Sequence, residues 1–275
     1  MLPLEGVHVL NLAVNVPGPV AAARMRDWGA RVTKIEPPNG DPLAYSCPAW
    51  HRDLTAGIEI IRLDLKTPDA RAHLDRLLES ADLLLTAHRP AALERLGLAW
   101  DDLHPRFPRL CHVAIVGHLP PRENEPGHDL NYQAELGTLL PPHLPPILIA
   151  DMAGAEQAVS AAMALLLARE RGQGAGFRWI SLFEAGAQAV ASHRCGLTAP
   201  GGLLGGALPH YALYASKEGH VAVALLEGHF LASLQEALNE PLESSSDYAR
   251  VFLARTAREW EQWALERGLP ITAVR

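Results

Sequence analysis

Cysteine is scarce in this sequence, with Cys47, Cys111 and Cys195 spread widely along 275 residues. An odd number at that spacing argues against a disulfide framework and is typical of buried thiols in a reducing compartment. Histidine is plentiful, at 13 residues, but no His-x-x-x-His or Cys-x-x-Cys spacing occurs. We therefore expect no bound metal.

Long apolar runs and a strong charge of one sign are also absent. No stretch of about 18 or more apolar residues could cross a bilayer. No basic segment followed by an apolar core marks a signal peptide at the N-terminus. The net charge of −7 does not suggest a nucleic-acid or membrane-surface partner. A cytoplasmic protein with no nucleic-acid or membrane partner is therefore expected.

The common nucleotide-binding loops are missing as well. No Gly-x-x-x-x-Gly-Lys motif is present, which excludes a P-loop. The glycine-rich run at 172–176 follows a predicted helix instead of joining a strand to a helix. This position does not suit a dinucleotide-binding loop.

Short apolar strands alternate with helices along most of the chain. Strands are predicted at 7–12, 31–35, 58–65, 83–85, 110–116 and 177–182, and helices at 20–28, from Pro68, from Asp151 to about Arg171, and at 184–194. The first strand, helix, glycine and strand fall within about 30 residues, which is typical of a βαβ unit with parallel strands. The alternation predicts an open α/β sheet.

A glycine- and proline-rich stretch at 198–209 suggests a linker to a second part. We therefore predict a large domain at 1–197 and a smaller one at 198–275. Strands are predicted in the smaller domain at 212–215, 221–225 and 270–274, with helical segments at 228–238 and near 247–267. This mixture predicts an α+β arrangement.

The most distinctive stretch runs from 126 to 171, where His128 and Asp151 each stand at a predicted helix start. A proline-rich segment between them allows the chain to turn back. A histidine and a carboxylate facing one ligand would make a two-base proton-transfer site. Taken from the residues alone, a loop histidine and a helix N-cap aspartate are the more ordinary interpretation.

Several motifs in the first 185 residues resemble the class III coenzyme A transferase family (CaiB/BaiF type). This family includes α-methylacyl-CoA racemases, formyl-CoA transferases and carnitine-CoA transferases. The resemblance is carried, in order, by the segments at 4–12, 17–19, 27–36, 63–68, 89–90 and 94–98, and by Asp151. The segment Gly-His-Asp-Leu-Asn-Tyr at 127–132 is similar to the racemase version, since transferases usually carry an aromatic residue where His128 stands.

This resemblance implies a doubly wound, mostly parallel, Rossmann-like domain followed by a smaller α+β domain. It also implies a homodimer in which two chains interlock. Members of the family usually continue beyond the point that corresponds to residue 275, so the C-terminus is expected to be shortened.

The implied activity is the racemisation or epimerisation of 2-methylacyl-CoA thioesters. His128 and Asp151 would be the two bases, and Glu227 would orient His128. An N-terminal glutamate that interacts favourably with its helix is an equal alternative for Glu227. No metal or redox cofactor is implied, because coenzyme A is part of the substrate.

Four residues are candidates for binding the coenzyme A thioester. Arg89 offers a forked donor to a phosphate, although a surface arginine before a turn is the ordinary alternative. Gly18 would allow close approach of the backbone to the ligand, or would only serve a tight turn. Asp129 and Tyr132 belong to the racemase-like segment.

One departure from the family keeps other functions open. The family normally has a basic run before the segment at 63–66, where this chain reads Thr-Ala-Gly-Ile-Glu at 55–59. Loss of these cations should weaken the binding of phosphate groups. The alternatives are therefore coenzyme A transfer between carboxylic acids, with Asp151 as nucleophile, and a non-catalytic, degenerate paralogue.

Overall fold

The computed structural model describes residues 1–275, and the chain divides into two compact units, Met1–Val190 and Ala191–Arg275. The sequence-based boundary at 197/198 lies a few residues later. The glycine-rich stretch at 198–209 lies inside the second unit and forms hydrogen-bonded turns, including a helical turn at Leu203–Ala207. No helix combines the length and the hydropathy that a membrane span requires.

A six-stranded sheet forms the centre of the first unit. Its strands are β1 (His8–Asn11), β2 (Arg31–Glu36), β3 (Glu59–Arg62), β4 (Leu83–Thr86), β5 (Cys111–Val116) and β6 (Phe177–Ser181). They are all parallel and lie in the order β3-β2-β1-β4-β5-β6. The predicted α/β class and parallel sheet are confirmed.

Ten helices accompany or follow these strands. They are α1 (Pro17–Asp27), α2 (Leu43–Ser46), α3 (Pro48–Thr55), α4 (Pro68–Ser80), α5 (Pro90–Arg95), α6 (Trp100–Leu103), α7 (Asp129–Glu135), α8 (Ile149–Glu170), α9 (Leu182–Ala189) and α10 (Ala191–Arg194). The single helix predicted at 184–194 is therefore two helices, α9 and α10. The second of these, α10, belongs to the second unit.

Both faces of the sheet are covered, as the strand patterns require. On β1, Val9 joins a cluster with residues of α1 and α8, whereas its neighbour Leu10 joins a cluster with residues of α4, α5 and α6. Successive side chains of a strand point to opposite faces, so an uninterrupted apolar strand needs helices on both sides. This explains the doubly wound arrangement.

Helix α1 begins earlier than predicted. The sequence suggested that Pro17 and Pro19 break the chain before a helix at Val20, but the helix starts at Pro17. Proline is tolerated in the first turn because the amides there have no partner within the helix. Gly18 consequently lies inside the helix and not in a tight turn. A Cβ atom on Gly18 would come within 2.0 Å of the Cβ atom of Ala13, so the glycine permits close packing against the loop after β1.

The second unit has a core of its own. Strands β7 (Tyr211–Ala215), β8 (His220–Ala224) and β9 (Ile271–Ala273) form an antiparallel sheet in that order. Helices α11 (Gly228–Leu238), α12 (Ser245–Phe252) and α13 (Ala257–Leu265) lie between β8 and β9 in the chain. The indole of Trp260 is buried and donates a hydrogen bond of 2.9 Å to the Phe252 carbonyl. The predicted smaller α+β arrangement is confirmed.

A buried charge cluster lies at the end of β2. The ammonium group of Lys34, which is 1% exposed, donates to Glu36 at 3.0 Å and also to Asp41. Asp41 in turn accepts hydrogen bonds from the backbone amides of Asn15 at 3.0 Å and Leu43 at 2.9 Å. The cluster therefore anchors the loop that follows β1, in which Asn15 adopts a positive φ of 67°.

The substitution Lys34→Met should destabilise the protein severely. It keeps much of the volume but leaves Glu36 and Asp41 buried without their cation. Removing one partner of a buried ion pair typically costs about 3–5 kcal/mol. Urea unfolding should show this loss, whereas Lys66→Met at an exposed position should stay within about 0.5 kcal/mol of the wild type. Equal stabilities for the two variants would contradict this role of the cluster.

Candidate active site

The cavity that most of the candidate residues line, which we call the main cavity, lies where the strand order reverses. From β1 the chain proceeds to β2 on one side, while β4 pairs on the other side. The loops after β1 and β4 therefore diverge and leave a crevice at the carboxyl ends of the strands, which is where open α/β sheets commonly bind ligands. Asn15 and Pro17 line the cavity from the first loop, and His88 and Arg89 line it from the second.

This cavity has an open volume of about 350 Å³ and a mixed polar and apolar wall. Four of the seven candidate site residues line it, namely Arg89, His128, Tyr132 and Asp151. Gly18 and Asp129 do not line it, and Glu227 belongs to the second unit. The fold thus brings together residues that are up to 62 positions apart in the sequence, between Arg89 and Asp151.

His128 precedes the first residue of α7, as the sequence predicted for this histidine. Its backbone is extended, with φ −133° and ψ 170°, which is the usual geometry of a residue that caps a helix. The backbone amide of His128 donates to the side-chain oxygen of Asn131 at 3.0 Å. This hydrogen bond satisfies the backbone amide of His128, which is one of the residues that line the cavity.

Asp151 is not the N-cap of α8, contrary to the prediction. Helix α8 begins two residues earlier, at Ile149, and the capping position is held by Leu148, whose side chain cannot accept a hydrogen bond. Asp129 supplies the missing acceptor: its Oδ1 atom accepts from the amides of Ala150 at 2.7 Å and Asp151 at 3.1 Å. The carboxyl group of Asp151 is therefore not needed as a cap, and it faces the cavity.

The electrostatic environment of Asp151 favours a bound proton. Burial, and secondly the negative charge of Asp129, raise the pKa of Asp151 to about 7. An acid with a pKa near neutrality can both donate and accept a proton under physiological conditions. Among the candidate residues, Asp151 is thus the carboxyl group best suited to proton transfer.

Tyr132 is almost fully buried, and two glycines provide the space for its ring. A Cβ atom on Gly117 would lie 2.4 Å from the Tyr132 hydroxyl, and one on Gly127 would lie 2.9 Å from it. Burial and the negative charge of Asp151 raise the pKa of Tyr132 to about 12. The phenol therefore stays protonated and presents a hydroxyl donor at the cavity wall.

The loop after β4 contributes one cation and one neutral imidazole. Arg89 is exposed and immediately precedes α5. His88, which sequence reasoning missed, has a buried Nδ1 atom without a hydrogen-bond partner in the chain, and burial lowers its pKa. The His-Arg-Pro order was noticed only for its arginine, and no pattern in the sequence indicated that the histidine would be enclosed.

A second cavity, of about 500 Å³, adjoins the first through Val14 and His88, which line both. Its other wall residues include the segment Leu63–Lys66 and the loop Pro37–Asn39. The first of these segments belongs to the motifs that carried the family resemblance. Lys66 was not singled out as a binding residue, although it places a cation beside this cavity.

The structure also locates three further sequence-based assignments. Gly18 packs on Ala13, as described above. Glu227 belongs to the second unit, where its exposed side chain precedes the first residue of α11. Its predicted pairing with His128 stays a prediction. The segment at 55–59 spans the end of α3 and the start of β3, and Glu59 accepts a hydrogen bond from Thr33 at 3.2 Å.

Three side chains approach the geometry of a metal site. One ligand atom each from Glu36, Asp41 and His51 lies within 4.8 Å of the others. The ammonium group of Lys34 already donates to both carboxylates, so a positive charge is present where a cation would bind. The cluster is better described as a buried ion-pair network.

Replacement of Asp151 by asparagine should stabilise the protein in a pH-dependent way. The folded-state pKa of about 7 is above the value of about 3.9 for an unfolded aspartate. The folded chain holds this proton more tightly, so the free energy of unfolding falls as pH rises from about 4 to about 7. Asparagine avoids that cost. Asp151→Asn should therefore gain more than about 1 kcal/mol over the wild type at pH 8 and little at pH 4.

Urea unfolding at a series of pH values would measure this difference. Asp53→Asn provides the matched control, because Asp53 is an exposed carboxylate of the same unit. A stability difference between Asp151→Asn and the wild type that does not change from pH 4 to pH 8 would contradict the raised pKa.

Comparison with known proteins places this chain in a family. The chain is 35% identical over 192 residues to the probable fatty acyl-CoA transferase Rv3272 of Mycobacterium tuberculosis, covering 62% of this chain and 48% of that protein. It is 29% identical over 296 residues to the human alpha-methylacyl-CoA racemase, covering 95% of this chain and 75% of that protein. The chain thus spans about half the length of the first of these relatives.

Solved structures give the same placement. The crystal structure of the hypothetical protein Rv3272 from Mycobacterium tuberculosis superposes with a TM-score of 0.85 at 26% identity, covering all of this chain and 84% of that chain. The family description CoA-transferase family III matches residues 4–275. Since the match extends over nearly the whole sequence, the chain belongs to CoA-transferase family III.

Proposed function

We propose that this protein racemises 2-methylacyl-CoA thioesters by proton transfer at the α-carbon. The observation that carries the proposal is that His128 and Asp151 line the same cavity from the starts of two different helices. Inversion at a carbon requires one group to remove a proton from one face and another to return a proton to the opposite face. An imidazole and a carboxyl group whose pKa is about 7 suit these two roles.

The reaction conserves all atoms of the substrate. One base takes the α-proton, and the electron pair moves onto the thioester oxygen to form an enolate. The other group then delivers its own proton to the opposite face of the carbon. Backbone N–H groups at a helix start can stabilise the negative charge that develops on the enolate oxygen. At the end of a turnover the two groups have exchanged protonation states, and solvent restores them.

Binding of the coenzyme A portion requires cations and space beyond the main cavity. Arg89 lines the main cavity, and Lys66 lines the adjoining one. We propose that the thioester end occupies the main cavity and that the phosphate-bearing portion extends along these two cations. The hydroxyl of Tyr132 and the Nδ1 atom of His88 offer hydrogen bonds where the two portions meet.

The second candidate function is coenzyme A transfer, which is favoured by the similarity to the probable fatty acyl-CoA transferase. The carboxylate of Asp151 would attack the thioester carbonyl and release coenzyme A as the thiolate, which leaves a mixed anhydride. The thiolate would then attack the aspartyl carbonyl, releasing the donor acid and forming an aspartyl thioester. This chemistry needs Asp151 but gives His128 no proton-transfer role at the α-carbon.

Exchange of the α-proton with solvent distinguishes the two reactions. In D₂O, the wild type should incorporate deuterium at the α-position of 2-methylacyl-CoA without a second carboxylic acid. His128→Ala should slow exchange from one enantiomer by about 100-fold or more, and Asp151→Asn should do so from the other, because each base serves one face. Mass spectrometry and proton NMR would measure the exchange.

His73→Ala, which alters a histidine of α4 away from the cavity, should exchange like the wild type. If His128→Ala slows exchange from both enantiomers equally, the result would indicate a positioning role for His128. Hydroxylamine trapping of an acyl group on Asp151, dependent on an acceptor acid, would support transfer instead.

Arg89→Ala should weaken coenzyme A binding. A hydrogen bond between charged groups typically contributes about 1.5–3 kcal/mol. We therefore expect the dissociation constant, measured by calorimetry, to rise roughly 10- to 150-fold. Arg76→Ala, at an exposed position of α4, is the matched control for the loss of one positive charge. If calorimetry detects no binding of coenzyme A to the wild type, the result would favour a degenerate paralogue that has lost its ligand.

A further inference from the structure

The side chain of Asp129 connects the two helices that carry the candidate bases. Only 3% of Asp129 is exposed, and its Oδ1 atom accepts the amides of Ala150 and Asp151. These are the second and third residues of α8, whose capping residue, Leu148, has no acceptor. The function normally performed by a polar N-cap is therefore performed by a residue of α7.

Gln133 holds Asp129 in this position. It lies one turn later on α7, is 4% exposed, and donates from Nε2 to the Oδ2 atom of Asp129 at 2.5 Å. The same nitrogen donates to the Ile147 carbonyl at 2.8 Å, just before α8. One amide group thus binds both the carboxylate and the chain segment that leads into α8. Because the side chains of Asp129 and Gln133 are both buried, the loss of one would leave the other without its partner.

The geometry fixes the position of Asp151 relative to His128. Asp129 follows His128 directly in the chain, while its carboxylate binds the amide of Asp151. The side chain of Asp129 therefore links the backbone next to His128 directly to the backbone of Asp151. The position of Asp151 relative to His128 does not depend on the intervening residues 130–150.

Asp129 also acts on the charge of Asp151. After burial, its negative charge is the second cause that raises the pKa of Asp151. Other titratable groups also line the cavity that Asp151 faces, namely His88, Arg89, Glu123, Glu125, His128 and Tyr132. Asp129 differs from all of them because it contacts the first turn of α8 directly.

We propose that Asp129 is a positioning residue for Asp151 and that Gln133 keeps Asp129 in place. Asp129 would not contact the substrate, and its assignment as a ligand-binding residue is replaced by this role. The proposal rests on the proposed function only because it takes Asp151 to be a group that transfers the α-proton. The effect of Asp129 on the titration of Asp151 is independent of any substrate.

Asp129→Asn is the decisive variant, because it removes the charge and keeps an oxygen that can accept the two amides. The titration midpoint of Asp151 should fall below about 7 but stay above the usual aspartate value of about 4, because burial, the larger cause of the raised pKa, remains. Carbon-13 NMR of aspartate-labelled protein would follow it, with the signal assigned by its loss in Asp151→Asn. The acidic limb of the pH profile for deuterium exchange should move in the same direction.

Glu170→Gln, which neutralises an exposed carboxylate at the last residue of α8, should leave the titration of Asp151 unchanged. Gln133→Met provides a second test, since it removes both hydrogen bonds and retains the charge of Asp129. Here the exchange rate should fall at least 10-fold, while the titration midpoint should stay closer to 7 than in Asp129→Asn.

An unchanged midpoint in Asp129→Asn, or an unchanged exchange rate in Gln133→Met, would overturn the proposal. If the wild type exchanges no α-proton at all, the proposed function fails. In that event a lowered midpoint in Asp129→Asn would still show that the charge of Asp129 acts on Asp151. The two failures can therefore be distinguished.

Discussion

The carboxylate of Asp129 accepts hydrogen bonds from two amides at the start of α8 and from the side chain of Gln133 on its own helix. The arrangement of the site depends on this buried interaction. A helix start that is capped by its own sequence would need a polar residue in place of Leu148. Because Asp129 serves instead, the carboxyl group of Asp151 is available to the cavity, in an environment that favours its protonation.

A second buried network supports the opposite wall. The ion pairs of Lys34 with Glu36 and Asp41 bury three charges, which is costly unless each finds its partner. Asp41 then fixes the loop after β1 through the amide of Asn15. Each wall of the cavity is thus held by a buried carboxylate, Asp129 or Asp41, that accepts hydrogen bonds from backbone amides. A side-chain donor keeps each carboxylate in place, Gln133 for Asp129 and Lys34 for Asp41.

The family includes relatives named as racemases and as transferases. In our two proposals Asp151 acts either as a proton carrier or as a nucleophile. His128 has a proton-transfer role only in the proposed racemisation. With His128 directly before α7, a second proton carrier lines the cavity, and this favours racemisation in our proposal.

Much of the fold follows from local patterns. The apolar strands, the helices between them and the parallel βαβ start were predictable because strand and helix periodicities are encoded in neighbouring residues. The family motifs added the doubly wound order, which the strands of the first unit confirm. Element ends were less predictable: Pro17 and Ile149 begin helices where the sequence suggested Val20 and Asp151.

The sequence by itself thus determined the fold class, the strand and helix order, and the candidate residues His128, Asp151, Arg89 and Tyr132. Only the tertiary structure decided that these four line one cavity, that Gly18 is a packing residue, and that His88 is enclosed beside them. The reason is physical. Asp129 caps α8 (Ile149–Glu170) although it lies 20 positions before the first residue of that helix. No local sequence pattern indicates such a long-range hydrogen bond.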